Sequence, residues 1–329
     1  MASPRFGTRS TPGRPFLRRL LGGLLAAGLC LVAWVALHLT GTDARPASGI
    51  ARSAAALQPG SQPRVRYYLQ QPPSAGPLTE TVALLASLGR PASDFNELVA
   101  VLVQAGYRTV CVESRGVGAW AGGGLADAQL ADLAGDIQAA LADAGVGAPT
   151  RVHVVGHAFG NRVARTFATL HPEQTASVVL VAAGDKTDLP PDLKRALALS
   201  ALGFLPWAWR EDAVSRAFFA PGNSLPEHWQ HGWSAWGAMA QARAAQGARR
   251  GDFHDGGQAQ MLVLQGEDDV IAPAREAGDV LKAAYGDRVS LVRIANAGHA
   301  MLPEQPGKIA EALLSFLRAQ RQHAQSPTP

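Results

Sequence analysis

Gly156-His157-Ala158-Phe159-Gly160 follows the apolar run Arg151-Val152-His153-Val154-Val155 and precedes Asn161-Arg162-Val163, where a helical pattern opens. Glycines on either side of one position, between a strand and a helix, describe a sharp turn in which neighbouring backbone passes close. In the Gly-x-Ser-x-Gly elbow the tip of that turn holds a nucleophilic serine. Here the tip is Ala158, a methyl group where attack on a carbonyl needs an oxygen.

Outward from the elbow, short apolar runs alternate with helical patterns. Val65–Leu69 reads as an early strand. Thr81–Ala86, Thr109–Val112, Val152–Val155, Ser177–Val181, Met261–Leu264 and Val289–Ile294 read as inner strands. Phe95, Leu98, Val99 and Leu102 recur at helical spacing, as do Leu130, Leu133, Ile137 and Leu141, with Asp127, Asp132 and Asp136 expected on the wet side. Val163, Phe167 and Leu170 mark the helix after the elbow, and Ile309, Leu313, Phe316 and Leu317 a closing helix. Strands alternating with helices predict an α/β domain with a mostly parallel central sheet covered on both faces. Residues 185–258 break the rhythm: they hold no inner strand but carry Trp207, Trp209, Trp229, Trp233 and Trp236, five of seven tryptophans. A helical cap insertion over the carboxyl edge of the sheet is expected there, with part of its tryptophan set lining a pocket.

The 329 residues carry a net charge of +4, with 47% hydrophobic and 17% charged residues. Arg5, Arg9, Arg14, Arg18 and Arg19 are the only charges before Asp43, so the first 40 residues hold +5 and the remainder −1. The basic character is therefore confined to the start of the chain, and no nucleic-acid partner is expected. These arginines (residues 1–19, a basic cytoplasmic stretch) precede the uncharged run Leu20–Leu37. Residues 20–40 read as a single-pass signal anchor, placing the rest of the chain on the extracytoplasmic side of the cell membrane. A cleaved signal peptide is the alternative; its apolar core is ordinarily shorter, and no clear Ala-x-Ala site follows directly here. Residues 41–64 read as a flexible linker, 65–321 as the folded domain and 322–329 as a disordered tail. Cys30 and Cys111 cannot form a disulfide framework or a metal set. No glycine-rich nucleotide motif occurs, and no cofactor is expected.

With these elements placed, residues 65–321 resemble the α/β-hydrolase fold family. The elbow at 156–160 is one marker. Gly266-Glu267-Asp268-Asp269 resembles the family's acid-bearing turn, the acid falling three residues after the glycine, and Ala297-Gly298-His299-Ala300 follows the last strand, where the family places its histidine. Arg115-Gly116-Val117-Gly118 resembles a further family motif, and the order 158, 269, 299 is the family's order of nucleophile, acid and base. The resemblance implies that Asp269 orients His299 as a base, with Asp185 as a back-up acid. It implies oxyanion donors at the backbone of Phe159 and in the loop Leu88-Gly89-Arg90, where the N–H of Arg90 is the candidate and the Arg90 side chain is expected to face water. Gly89 belongs to the same candidate site. Ser114 is the nearest hydroxyl by sequence, and nothing places it beside His299.

Three readings of function stay open: a family member that uses the His-Asp dyad without serine, a binding module without turnover, and a serine esterase carrying Ser→Ala at 158. Leu88 and Glu113-Ser114 also depart from the family pattern, which speaks against the third. The expected substrate or ligand is a small, mostly apolar ester-like or carbonyl compound. Loss of the serine costs on the order of 10⁶ in turnover, about 8 kcal/mol, so any activity must begin without it.

Overall fold

The computed structural model describes residues 14–55, 64–76, 79–118, 128–147, 150–184, 188–249, 251 and 253–325. Eight strands form one sheet: β1 (Ile50–Ala55), β2 (Arg64–Gln70), β3 (Thr81–Leu85), β4 (Arg108–Val112), β5 (Val152–His157), β6 (Thr175–Val181), β7 (Gln260–Gly266) and β8 (Val289–Ile294). Their order is β1-β2-β4-β3-β5-β6-β7-β8. The pairs from β4 to β8 are parallel, and β1 and β2 join as antiparallel strands at one edge. Every residue of β3 and β5 is buried. Burial on both faces explains why these segments read as unbroken apolar runs.

Successive residues of a strand serve opposite faces. Val82 and Leu84 of β3 meet Leu98, Val99 and Leu102 of α2 (Asn96–Gln104) and Leu313 and Leu317 of α10 (Pro306–Gln325). Ala83 and Leu85 face the other way, toward Ile137 and Leu141 of α3 (Leu130–Asp143) and Val163 and Phe167 of α4 (Gly160–Leu170). The carboxyl ends of β3, β5, β6, β7 and β8 thus come out at one edge, where loops carry the candidate site.

Between β6 and β7 lie α5 (Pro191–Ser200), α6 (Trp207–Phe218), a 3₁₀ turn at Glu227–Gln230 and α7 (Ala235–Gly247), while α8 (Gly278–Tyr285) joins β7 to β8. The elements between β6 and β7 have their own core, in which Leu193, Val214, Phe218, Trp229 and Trp233 pack together with Ala300 from beyond β8. The cap therefore touches the loop that carries His299.

Three expectations are corrected. Residues 41–55 of the expected linker are not free: Ile50–Ala55 is strand β1, paired with β2, while residues 56–63 lie outside those described. Before β1, Arg45 pairs with Glu97 at 2.7 Å and the Ser48 N–H donates to Asn96 Oδ1. Strand β1 buries only Ala54, so its sequence carries no apolar alternation to read. The chain end is helical through Gln325, since α10 continues past residue 321; residues 326–329 lie outside those described. Asp136 is not on a wet face but buried, taking both bonds of a fork from Arg115 at 2.7 Å each. Burial and the nearby Asp132 raise the Asp136 carboxyl, and Arg115 only partly offsets them, leaving it at about 6. Asp127 and Asp185 lie outside the described residues.

Ahead of the sheet, α1 (Arg14–Leu39) is one continuous helix. Within its stretch Arg18–Leu39 the most apolar 18 residues have a mean hydropathy of 2.4 and are not buried against the protein. At 1.5 Å per residue this stretch is about 33 Å long, enough to cross a hydrocarbon layer.

Candidate active site

The elbow takes the strained shape its glycines imply. Ala158 has φ +49°, a left-handed conformation that costs an L-residue about 1–2 kcal/mol. Gly156 and Gly160 pass so close that a Cβ on the first would collide with the backbone of the second, and a Cβ on Gly160 would collide with the Leu85 carbonyl. The turn is held from below: the Ala158 N–H donates to Val181 O (2.9 Å), and Asn161 Nδ2 donates to Val181 O and Ala182 O. Ala158 is thus fixed at the tip.

Across from it, His299 and Asp269 meet. His299 Nδ1 lies 2.8 Å from Asp269 Oδ2, and both side chains are buried. The other carboxylate oxygen accepts the N–H groups of Ile271 (2.9 Å) and Ala272 (2.8 Å). Burial alone would raise the Asp269 carboxyl; the adjacent imidazole and these donors outweigh it and hold it below the ordinary carboxylate range. An ionised Asp269 accepts the Nδ1 proton of a neutral His299, which leaves the Nε2 lone pair free to take a proton.

The loop carrying His299 is clamped to the cap. Glu304 of α9 (Met301–Glu304) accepts the N–H groups of Gly298 (2.7 Å) and Ala220 (2.6 Å), and the Ala300 N–H donates to Phe218 O. Beneath the ring, His157 Nε2 bonds His299 O at 2.9 Å. Burial and the neighbouring His299 push His157 down to about 4, so it is neutral and its Nε2–H is the donor. Its Nδ1 is buried without a hydrogen-bond partner among the described residues. The positioning contacts of Glu304 and His157 are not legible in the sequence, because the Ala220 N–H and the His299 carbonyl that they hold are distant in the chain.

The oxyanion loop differs from expectation. The Arg90 N–H closes a turn onto Ser87 O (3.1 Å), and the Gly89 N–H donates to Gln241 Oε1 (2.8 Å). Neither is available to a ligand. The N–H groups of Leu88 and Phe159 make no hydrogen bond among the described residues, and both residues line the cavity. Of the Leu88-Gly89-Arg90 loop, the N–H of Leu88 is therefore the one left unbonded among the described residues, in place of the expected Arg90. The Arg90 side chain does not face water either: it is 1% exposed, forked onto Asp94 at 2.8 and 2.9 Å, and held between Trp229 and Trp233 at 4.6 and 4.5 Å. Gly89 lines the cavity with φ +64°, and a Cβ there would strike Ser234 O of the cap.

Ala158, His299, Leu88 and Phe159 share one cavity of about 360 Å³. Its far wall is apolar cap surface, including Leu197, Phe218, Trp233 and Ala242. Among the described residues two hydroxyl side chains border it, Ser87 and Ser234; Ser234 Oγ is spent on the carbonyl of Gly116 and caps α7. Ser114 is not among its lining residues.

A model of the alpha/beta hydrolase family matches residues 82–312, from β3 to the closing helix. The chain belongs to the alpha/beta hydrolase family. Among curated relatives it is 31% identical over 256 residues to the "putative carbamate hydrolase RutD" of Variovorax paradoxus, a match covering 72% of this chain and 91% of that protein. Solved structures of the same fold include an esterase from Exiguobacterium antarcticum (TM-score 0.64, 18% identity, 82% of this chain and all of that one). A bacterial membrane phospholipase A is also similar (TM-score 0.62, 18% identity, 94% of this chain and 99% of that one). At such identities the two structures speak for the fold alone.

Proposed function

We propose that this alpha/beta hydrolase is anchored in the cell membrane by α1 and acts without a covalent nucleophile. Its His299–Asp269 pair activates water toward a small apolar ester-like or carbonyl compound. The observation that supports this is the 2.8 Å contact of His299 with Asp269 beside a cavity that also holds the methyl of Ala158. A methyl in place of a serine hydroxymethyl leaves room for a water next to His299 Nε2. In the proposed step Nε2 takes one proton of that water while its oxygen bonds the carbonyl carbon. The N–H groups of Leu88 and Phe159 receive the oxyanion. Collapse breaks the bond to the leaving group, which takes the proton from His299.

Without the serine, binding and oxyanion donors leave roughly 10³–10⁴ over the uncatalysed rate. Slow turnover or ligand capture is therefore the expected regime. The binding-module reading is favoured by the retention of the strained φ at Ala158 with no hydroxyl to present. A short-chain trifluoromethyl ketone tests the shared part of both readings, since its hydrate offers an oxyanion to the N–H pair and a hydroxyl to His299. Saturable binding seen by fluorine NMR, lost in His299→Ala, is expected. No binding to the unmodified chain would overturn the site.

A further inference from the structure

The carboxyl end of α1 is fastened to the cap. Asp43 accepts the Gly232 N–H (3.0 Å) and lies 3.1 Å from His231 Nδ1, Leu39 O approaches Ser234 Oγ to 3.2 Å, and beside the cap Thr40 O accepts the Gly118 N–H (2.7 Å). The carbonyl of His38 lies against Gly203, where a Cβ would approach it to 2.9 Å. Gly203 is the centre of Ala196-Leu197-Ala198-Leu199-Ser200-Ala201-Leu202-Gly203-Phe204-Leu205-Pro206-Trp207-Ala208-Trp209, fourteen residues without a charge. Leu202, Phe204, Leu205 and Trp207 are half-buried, and Trp209 is 67% exposed. Two residues past Ser234, Trp236 is 50% exposed, with Met239 one turn on at 44%. On α1 itself Trp34 is exposed one turn before His38.

Exposed tryptophan beside an uncharged surface is costly in water and favourable where an apolar body meets a wet edge. We infer that the cap surface at Leu202–Trp209 docks into the headgroup region of the same bilayer that takes up α1. This rests on the anchor reading proposed above. The occupant follows from continuity: the helix leaves the hydrocarbon at the residues that bond the cap, so the adjoining surface is held at the lipid boundary. Glu211 and Asp212, both exposed, end the patch one turn into α6. Ala201, Leu197 and Trp233 belong to this cap and also line the cavity, so the site draws ligands that partition into lipid.

The test uses the full chain in vesicles of phosphatidylethanolamine and phosphatidylglycerol, spin-labelled at one cysteine at a time. Native Cys30, exposed in α1, reports on the anchor, while Cys111 is buried and unreactive. Trp209→Cys and Asp287→Cys, each with Cys30→Ser, report on the patch and on the opposite, amino-terminal end of the sheet. The expected result is that the label at position 209 collides with oxygen and is several-fold less accessible to an aqueous nickel chelate than the label at 287. If 209 is as accessible to nickel as 287 while the Cys30 label is shielded, the docking is wrong and the anchor stands. If the Cys30 label is itself open to nickel, the anchor reading fails and the docking with it.

Discussion

The Nδ1 of His299 lies 2.8 Å from the carboxylate of Asp269, and no hydroxyl stands at the elbow tip to give its proton to the opposite ring nitrogen. Around the methyl of Ala158 the fold gathers that pair, the N–H groups of Leu88 and Phe159 and a capped apolar cavity. On the reading proposed above, such a site works through these electrostatic groups and not through a covalent intermediate.

Asp269 has two jobs, and substituting it separates them. Asp269→Asn leaves an acceptor for Ile271 and Ala272 but presents a donor or a weaker acceptor to His299 Nδ1. In an Ala158→Ser background it should lower kcat by about 10⁴, as loss of the correct tautomer does in serine hydrolases, while Tm changes by only a few degrees. Kinetics with a short p-nitrophenyl ester and a thermal melt together check this.

Ala158 carries strain that no present side chain repays. Ala158→Gly should stabilise the fold by about 0.5–1 kcal/mol, because glycine takes φ near +49° freely. Urea unfolding of the two proteins measures the difference; equal midpoints would mean that the turn is relaxed.

Arg90 is predicted to be structural. Removing it leaves Asp94 buried without its partner and empties the space between Trp229 and Trp233. Arg90→Ala should cost about 3–5 kcal/mol, the usual penalty for breaking a buried pair from one side. Denaturant unfolding checks the magnitude.

Much of this was legible in the chain. The runs of β3, β5, β6 and β7 are mostly apolar on both faces because both faces are covered, and Gly156 and Gly160 mark the elbow because only glycine fits there. The positions of Asp269 and His299 follow from their places after β7 and β8. Other features depend on partners remote in sequence. Strand β1 has one buried residue, and its pairing is visible only once β2 lies beside it. Which N–H the 87–90 loop leaves free depends on a turn closing from Arg90 to Ser87 and on Gln241 of the cap reaching Gly89. The fate of the Arg90 side chain is set by two tryptophans of the insertion, and that of Asp136 by Arg115 from the loop after β4.

Glu113 makes stability depend on pH. Fully buried at the end of β4, it is pushed up to about 7, chiefly by burial and by the nearby Asp94, against the help of the Ala92 N–H. The folded state thus binds a proton that the unfolded chain releases near the ordinary glutamate value, so stability falls as pH rises from about 4.5 to 7. Glu113→Gln, which keeps the acceptor, should be more stable than the parent above pH 7 by about 3 kcal/mol or less, and no more stable below pH 4. Melting curves across that range decide it; a gain that is independent of pH would contradict the assignment.

The most direct measurement is the hydrolysis of p-nitrophenyl butyrate by the purified full chain and by Ala158→Ser, each with and without His299→Ala. The unmodified chain should show at most slow turnover, and Ala158→Ser should exceed it by at least about 10²-fold, out of the roughly 10⁶ a nucleophile can supply. That gain should vanish with His299→Ala and survive Ser87→Ala. Fast hydrolysis by the unmodified chain, or no gain on restoring the serine, would contradict an active centre that lacks only its nucleophile.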